Sequence, residues 1–306
     1  MARPRVAFVG SGGATKGFAH VGVIRAMEEL GVVPDILVGA SAGAIVGAFL
    51  AQGTSSSEMI DWMRPFWRRQ DPKRSVKARH FVGLPSRGQW RSAGWLTSGL
   101  LSIERFERFL EERLPTNDFR DLERHLIVTA ADVDGRGRVV FGKGYRERVP
   151  ISEAVAASSC VPLLFRPFKI GDRYYVDGEV VRTLSLDLAL EAGADVIIIS
   201  NVYRPHITRP GEPSLVHGGA PAMLRQSLNL ILSEKEKRGI ELFERQNPHV
   251  TILNVSADLG SLSFVSRGSA RTLLKRGYRE ALSVLAPAKQ RGVFDFRSNV
   301  HRVGDA

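Results

Sequence analysis

Two stretches of small residues in this 306-residue chain are spaced for chemistry. Gly39-Ala40-Ser41-Ala42-Gly43 sets a serine between glycines at minus two and plus two. A hydroxyl that is to attack a carbonyl must project from a tight elbow, and side chains at Gly39 and Gly43 would collide there with neighbouring backbone. A helix starting just after such a serine aims its positive N-terminal end at the hydroxyl. The second stretch, Gly10-Ser11-Gly12-Gly13-Ala14-Thr15-Lys16-Gly17, can turn several backbone N–H groups onto one anion. Two nucleotide readings of it fail by spacing. A phosphate-binding loop needs Gly-Lys-Ser/Thr where the order here is Lys16-Gly17-Phe18, and a dinucleotide GxGxxG begun at Gly10 needs glycine where Thr15 stands. An oxyanion hole serving Ser41 from a neighbouring strand end survives both tests.

A serine nucleophile needs a base. None of the seven histidines (His20, His80, His125, His206, His217, His249, His301) has a recognisable triad setting, and His20 reads as a helix-face residue. Asp177, in Tyr174-Tyr175-Val176-Asp177-Gly178, closes an apolar run at a turn, but Asp-Gly is also an ordinary turn dipeptide. These residues alone leave the base open between Asp177 and a late histidine such as His249 or His301.

The elements that must position these groups follow from periodicity. Arg5 to Gly10 reads as a buried strand, Gly17 to Leu30 as a helix, Asp35 to Gly39 as a second strand, and Ala42 to Ala51 as an apolar helix laid against the sheet. Strand, helix, strand, helix within about 50 residues is the pattern of a parallel sheet. Further along, the spacing predicts helices over 102–114, 149–158, 222–245 and 269–285. It predicts hairpins around Asp134-Gly135 and Gly171-Asp172, strands over 194–202 and 250–255, and a loop over 205–221. The chain from Pro287 has no clear period and reads as a loosely attached tail.

Composition bounds the rest. Apolar residues make up 43% and charged residues 25%, as in a globular chain with a real core. A single cysteine, Cys160, excludes an intramolecular disulfide and any multi-cysteine metal site and is compatible with a reducing compartment. No metal or other cofactor is expected: Asp132-x-Asp134-Gly135 opens like a calcium loop, but Arg136 takes the next ligand position. No run approaches the roughly 20 apolar residues of a membrane span and no signal peptide is visible, so the expected location is the cytoplasm.

The charge is less ordinary. With 43 Lys and Arg against 32 Asp and Glu the net charge is +11, and residues 62–95 carry nine basic residues against Asp71, which is +8 of that total. All four tryptophans, Trp62, Trp67, Trp90 and Trp95, lie in the same segment. Met59, Ile60, Trp62, Met63, Phe66 and Trp67 share one helical face, although Pro65 interrupts the helix. Trp62, Trp67, Arg68, Arg69, Trp90 and Trp95 are therefore candidate contacts to an anionic membrane surface, each basic residue contributing about 1 kcal/mol. A solvated basic cap whose tryptophans pack on the core is the plain alternative. A charged stacking platform for nucleic acid is another, although no nucleic-acid motif accompanies it.

The blocks together resemble the patatin-like phospholipase family. The resemblance runs through Gly12 to Gly17, His20, Gly22-Val23, Glu28 to Gly31, Pro34-Asp35, Gly39 to Gly43, Ala157-Ser158-Ser159 with Pro162, Phe165 and Pro167, Val176-Asp177-Gly178, and Gly193-Ala194-Asp195, in the family's order. It implies a three-layer α/β/α fold with a mainly parallel sheet and one domain over residues 1–286, in which 62–95 form a lid or membrane-facing insertion and 287–306 a tail. It also implies a Ser41–Asp177 dyad without histidine, an oxyanion hole from Gly12, Gly13 and Ala14, and acyl esters of lipids, phospholipid or lysophospholipid, as substrates. Acyl transfer to a lipid alcohol in place of water would use the same residues. Three positions depart from the family's pattern: Ala14 replaces the loop's third glycine, Glu179 follows Asp177-Gly178, and Thr183-Leu184-Ser185 replaces the usual Asn-x-Pro.

Overall fold

The computed structural model describes residues 3–63, 99, 101–135, 137–203, 211, 213–259 and 269–295. Its centre is an eight-stranded sheet of β1 (Val6–Gly10), β2 (Ile36–Gly39), β3 (His125–Asp132), β4 (Gly137–Gly142), β5 (Phe168–Ile170), β6 (Arg173–Asp177), β7 (Val196–Asn201) and β8 (Thr251–Ser256). The five strands β3-β2-β1-β7-β8 are parallel in that spatial order, while β4, β5 and β6 join antiparallel beyond or beside β3.

The helices are α1 (Phe18–Glu29), α2 (Ala42–Ala51), α3 (Ser56–Met63), α4 (Glu104–Arg113), α5 (Ile151–Ser158), α6 (Leu186–Glu191), α7 (Gly219–Gln246) and α8 (Ser269–Gln290). Alternation along the central strands sorts them into two layers. Val6 and Phe8 of β1 face one core with residues of α1, α2, α5 and α8, whereas Ala7 and Val9 face the other with α6 and α7. Burial on both faces is why β1 and β7 read as unbroken apolar runs. The result is the expected α/β/α arrangement.

One register matters for the site. Along β3, Val128 pairs with Gly39 of β2 and Ala130 pairs with Asp177 of β6. β4 occupies the opposite edge of β3 over the same residues. β2 and β6 therefore share one edge of β3, with β6 taking over where β2 ends, so the residues following Gly39 come out beside Asp177.

Two boundaries differ from expectation. Helix α8 does not stop near residue 286 but continues through Pro287 to Gln290, with Ala288 buried in the core and Lys289 Nζ donating to Leu30 O. A proline inside a helix removes one backbone donor, and burial of Leu285 and Ala288 on one face outweighs that loss. The domain boundary expected at 286 thus falls inside a helix. Likewise α7 begins at Gly219, inside the stretch expected to be a loop, because Pro221 sits in the first helical turn, where its missing N–H has no partner to lose.

Helix α3 also corrects the reading of the interfacial stripe. Met59 is buried, Ile60 packs on the main core, and the Trp62 ring meets Phe49 edge-on at 4.9 Å between centroids. At these positions the apolar face packs on the core. Trp67, Arg68, Arg69, Trp90 and Trp95 lie outside the described residues. Trp62→Ala is accordingly expected to destabilise the fold by about 1–3 kcal/mol in urea titration while leaving flotation with anionic liposomes unchanged; unaltered stability would contradict this placement.

Candidate active site

Ser41 sits on the turn from β2 into α2 and is the residue immediately before that helix. Its backbone adopts φ 51° and ψ −120°, a strained conformation for a residue with a side chain, worth about 1–3 kcal/mol. Two features of the surroundings hold it there. The Ser41 N–H donates to Ser158 Oγ at 2.8 Å, and the Ser158 hydroxyl donates to Thr129 O at 2.7 Å, tying the elbow through the end of α5 to the middle of β3. The Gly43 N–H donates to Ser11 O at 3.1 Å, and a Cβ on Gly43 would stand 2.2 Å from Gly10 O, so the elbow and the end of β1 touch backbone to backbone. Ser41 Oγ makes no capping bond to its own helix, so the hydroxyl stays free of the α2 amides.

Across from it, at the end of β6, Asp177 is 5% exposed. Its N–H donates to Cys160 O at 2.9 Å, and its Oδ1 accepts from Glu179 N at 3.0 Å. Burial pushes its carboxyl up to about 6, opposed by the Glu179 amide and by the Ser41 hydroxyl within hydrogen-bonding reach. A carboxylate so placed is a far better proton acceptor than a solvated aspartate, whose pKa is near 3.9. Burial likewise pushes the Cys160 thiol up, which keeps it protonated and unreactive.

The glycine loop lies alongside. Gly13 (φ 145°) and Ala14 (φ 49°) are both left-handed, and among the described residues their N–H groups meet no acceptor. Only a glycine fits at Gly13, since a Cβ there would lie 2.3 Å from Val202 Cγ2. The Gly12 amide is different: it donates to Glu179 Oε1 at 2.7 Å. Of the three amides expected to form an oxyanion hole, Gly13 and Ala14 keep free donors, whereas Gly12 is already engaged by an acid that the sequence marked only as a departure.

The histidines stand apart. His20 is fully buried, with Nε2 2.8 Å from Ser11 O and Nδ1 2.6 Å from Ser200 Oγ; burial lowers its pKa to about 4, so it is neutral and braces the base of the glycine loop. His249 lies in the turn before β8, at the N-terminal end of the parallel strands, while Ser41 lies at their C-terminal end. That placement removes His249 as a base for Ser41, and His301 is outside the described residues. No group of three or more metal-ligating side chains occurs among the described residues.

Sequence reasoning quoted Ser158 without giving it a role and found no partner for Glu179. Tyr203 and Glu236 were missed altogether. Asn201 Nδ2 donates to Glu236 Oε2 at 2.6 Å, and Tyr203 Oη lies 2.8 Å from where a Gly12 Cβ would be. Nothing local in the sequence signals either residue, because α7 and the end of β7 bring them in from far along the chain.

A mainly parallel sheet between two helical layers, with a serine elbow facing a buried aspartate, defines a three-layer α/β/α protein organised around one strand-end site. The chain belongs to the patatin-like phospholipase family, whose model matches residues 8–190. Among curated proteins it is 26% identical over 201 residues to an NTE family protein of Mycobacterium tuberculosis, covering 66% of this chain and 31% of that one. It is 27% identical over 200 residues to the lysophospholipase nte1 of Aspergillus fumigatus, covering 64% of this chain and 12% of that one. The chain thus spans a third or less of these two relatives' lengths. Among solved structures it resembles VipD of Legionella pneumophila, with a TM-score of 0.51 and 15% identity over 94% of this chain and 67% of that chain, a likeness of fold. No helix among the described residues is long and apolar enough to cross a membrane.

Proposed function

We propose that this protein is a serine lipid acyl hydrolase of the phospholipase A or lysophospholipase type. The observation that carries the reading is the uncapped Ser41 hydroxyl at the N-terminus of α2, facing the buried Asp177 carboxyl. Family membership and the lysophospholipase among the relatives support the lipid ester as substrate.

In this mechanism Ser41 Oγ bonds to the ester carbonyl carbon as its proton passes to Asp177. The oxygen that becomes negative is received by the Gly13 and Ala14 N–H groups and by the positive end of α2. Collapse of the tetrahedral intermediate breaks the bond to the alcohol, which leaves with the proton from Asp177. Water then attacks the acyl-Ser41 carbonyl and gives a proton to Asp177; the fatty acid departs as that proton returns to Ser41. A direct test is fatty-acid release from a panel of phospholipids, lysophospholipids and acylglycerols with Ser41→Ala as the blank. Release by the wild type alone is expected; equal release by the folded variant would overturn the assignment.

A further inference from the structure

Glu179 has no part in that mechanism, yet it touches both halves of the site. Its backbone N–H donates to Asp177 Oδ1 at 3.0 Å, and its side-chain Oε1 accepts from Gly12 N at 2.7 Å. It is 4% exposed, and Oε2 has no partner among the described residues. A Cβ on Gly12 would meet Glu179 Cγ at 2.7 Å and Ser41 Cβ at 3.1 Å, which puts the acid against the nucleophile's own surroundings. One residue therefore links the acid at the end of β6 to the loop after β1.

We propose that Glu179 is a positioning residue that clamps the Gly12 amide, fixing the glycine loop so that the Gly13 and Ala14 N–H groups face the reacting carbonyl. The inference rests on Ser41 being the acyl-transfer nucleophile. The chemistry of the clamp explains why a carboxyl can serve here. An ionised carboxylate beside a developing oxyanion would repel it. The surroundings of Glu179 oppose that charge: burial first, then the Asp177 carboxylate and Glu236 of α7, raise its pKa well above the ordinary carboxylate value, against the Gly12 amide and Lys235. A neutral carboxylic acid accepts the Gly12 N–H through its carbonyl oxygen without adding an anion to the site. Left without this acceptor, Gly12 would be a buried amide with no partner, free to pivot and carry Gly13 with it.

The clamp is tested with Glu179→Gln, which keeps a neutral acceptor of the same shape, and Glu179→Ala, which removes it. Two readouts apply: steady-state hydrolysis of the best lipid substrate, and the rate at which an alkyl fluorophosphonate phosphonylates Ser41 with loss of fluoride. Glu179→Ala is expected to lower kcat and the phosphonylation rate by about 10- to 100-fold with KM within about twofold, and Glu179→Gln to stay within about threefold of wild type. Glu179→Ala at or above wild-type rate would overturn the clamp, as would Glu179→Gln falling as far as Glu179→Ala. Should Glu179→Ala fail to fold, Glu179→Met keeps the volume, lacks the acceptor and carries the same expectation. A wild type that is phosphonylated at Ser41 but cleaves no lipid ester would sink the lipid substrate and leave the clamp to be decided by the phosphonylation rates.

Discussion

Asp177→Asn is expected to melt at a higher temperature than the wild-type protein at pH 7 while losing ester hydrolysis by roughly 10³-fold or more. Burial holds the Asp177 carboxyl at about 6 instead of 3.8, so keeping it ionised at neutral pH works against the folded state. That difference corresponds to on the order of 3 kcal/mol, reduced because asparagine offers one acceptor oxygen to the Ser41 hydroxyl and the Glu179 amide, where aspartate offers two. A gain of about 2–5 °C follows. The sign of the pH dependence is fixed by the raised pKa: this residue's contribution to stability is complete below 3.8 and is lost as pH rises through 6. The melting advantage of the variant should therefore be largest near pH 7 and vanish near pH 4. Activity runs the other way. The base must be ionised to accept the Ser41 proton, so wild-type kcat/KM should fall on the acid side with a midpoint near 6. Calorimetry across pH, paired with turnover, checks both; an Asn variant that is active, or whose advantage grows on acidification, would refute the assignment.

Gly43→Ala is expected to cost about 3–5 kcal/mol or to abolish folding. All three nearest atoms to the added methyl would be backbone, Gly10 O at 2.2 Å, Gly10 C at 2.4 Å and Gly10 Cα at 2.8 Å, and no rotamer change relieves them. The end of β1 and the start of α2 would have to separate, and the Gly43 N–H bond to Ser11 O would go with them. A matched control is Gly239→Ala on the exposed face of α7, where nothing lies within 4 Å of the added carbon. There the methyl should stabilise the helix by about 0.5–1 kcal/mol. Chemical denaturation of the two variants side by side is the measurement, and similar midpoints would show that the elbow and β1 are not packed as described.

The layers of this fold were legible because its central strands are short, apolar on both faces and bounded by glycines; β1, β2 and α2 emerge within a residue of the sequence expectation. Prolines misled at both long helices, Pro221 because it stands in a first turn and Pro287 because burial beyond it carries the helix on. The Trp62 stripe misled for a different reason: periodicity shows which residues share a face and not what that face meets. Within the site, Ser41 and the glycine loop were visible because each is a local backbone device with its own spacing. Asp177 required resemblance, since Asp-Gly at a strand end has no local mark of chemistry. The Glu179 contact with Gly12 spans distant parts of the chain and depends on two loops meeting, so no window of sequence contains it.

The shared edge of β3 bears on how this protein comes to be active. Val128 and Ala130 act as fixed marks on one strand: the first locates the turn that carries Ser41, the second locates Asp177, and Thr129 between them receives the Ser158 hydroxyl that holds the Ser41 amide. On the proposed mechanism the nucleophile and the loop amides come from the opening βαβ unit, built of contacts close in sequence, whereas the base reaches them only when β3 has paired with β2 and β6 with β3. The β2–β3 pairing spans more sequence than the β1–β2 pairing, and pairings of longer separation close more slowly than local ones. On the proposed mechanism, recovered turnover in refolding therefore reports that β3 has paired with β2 and β6 with β3.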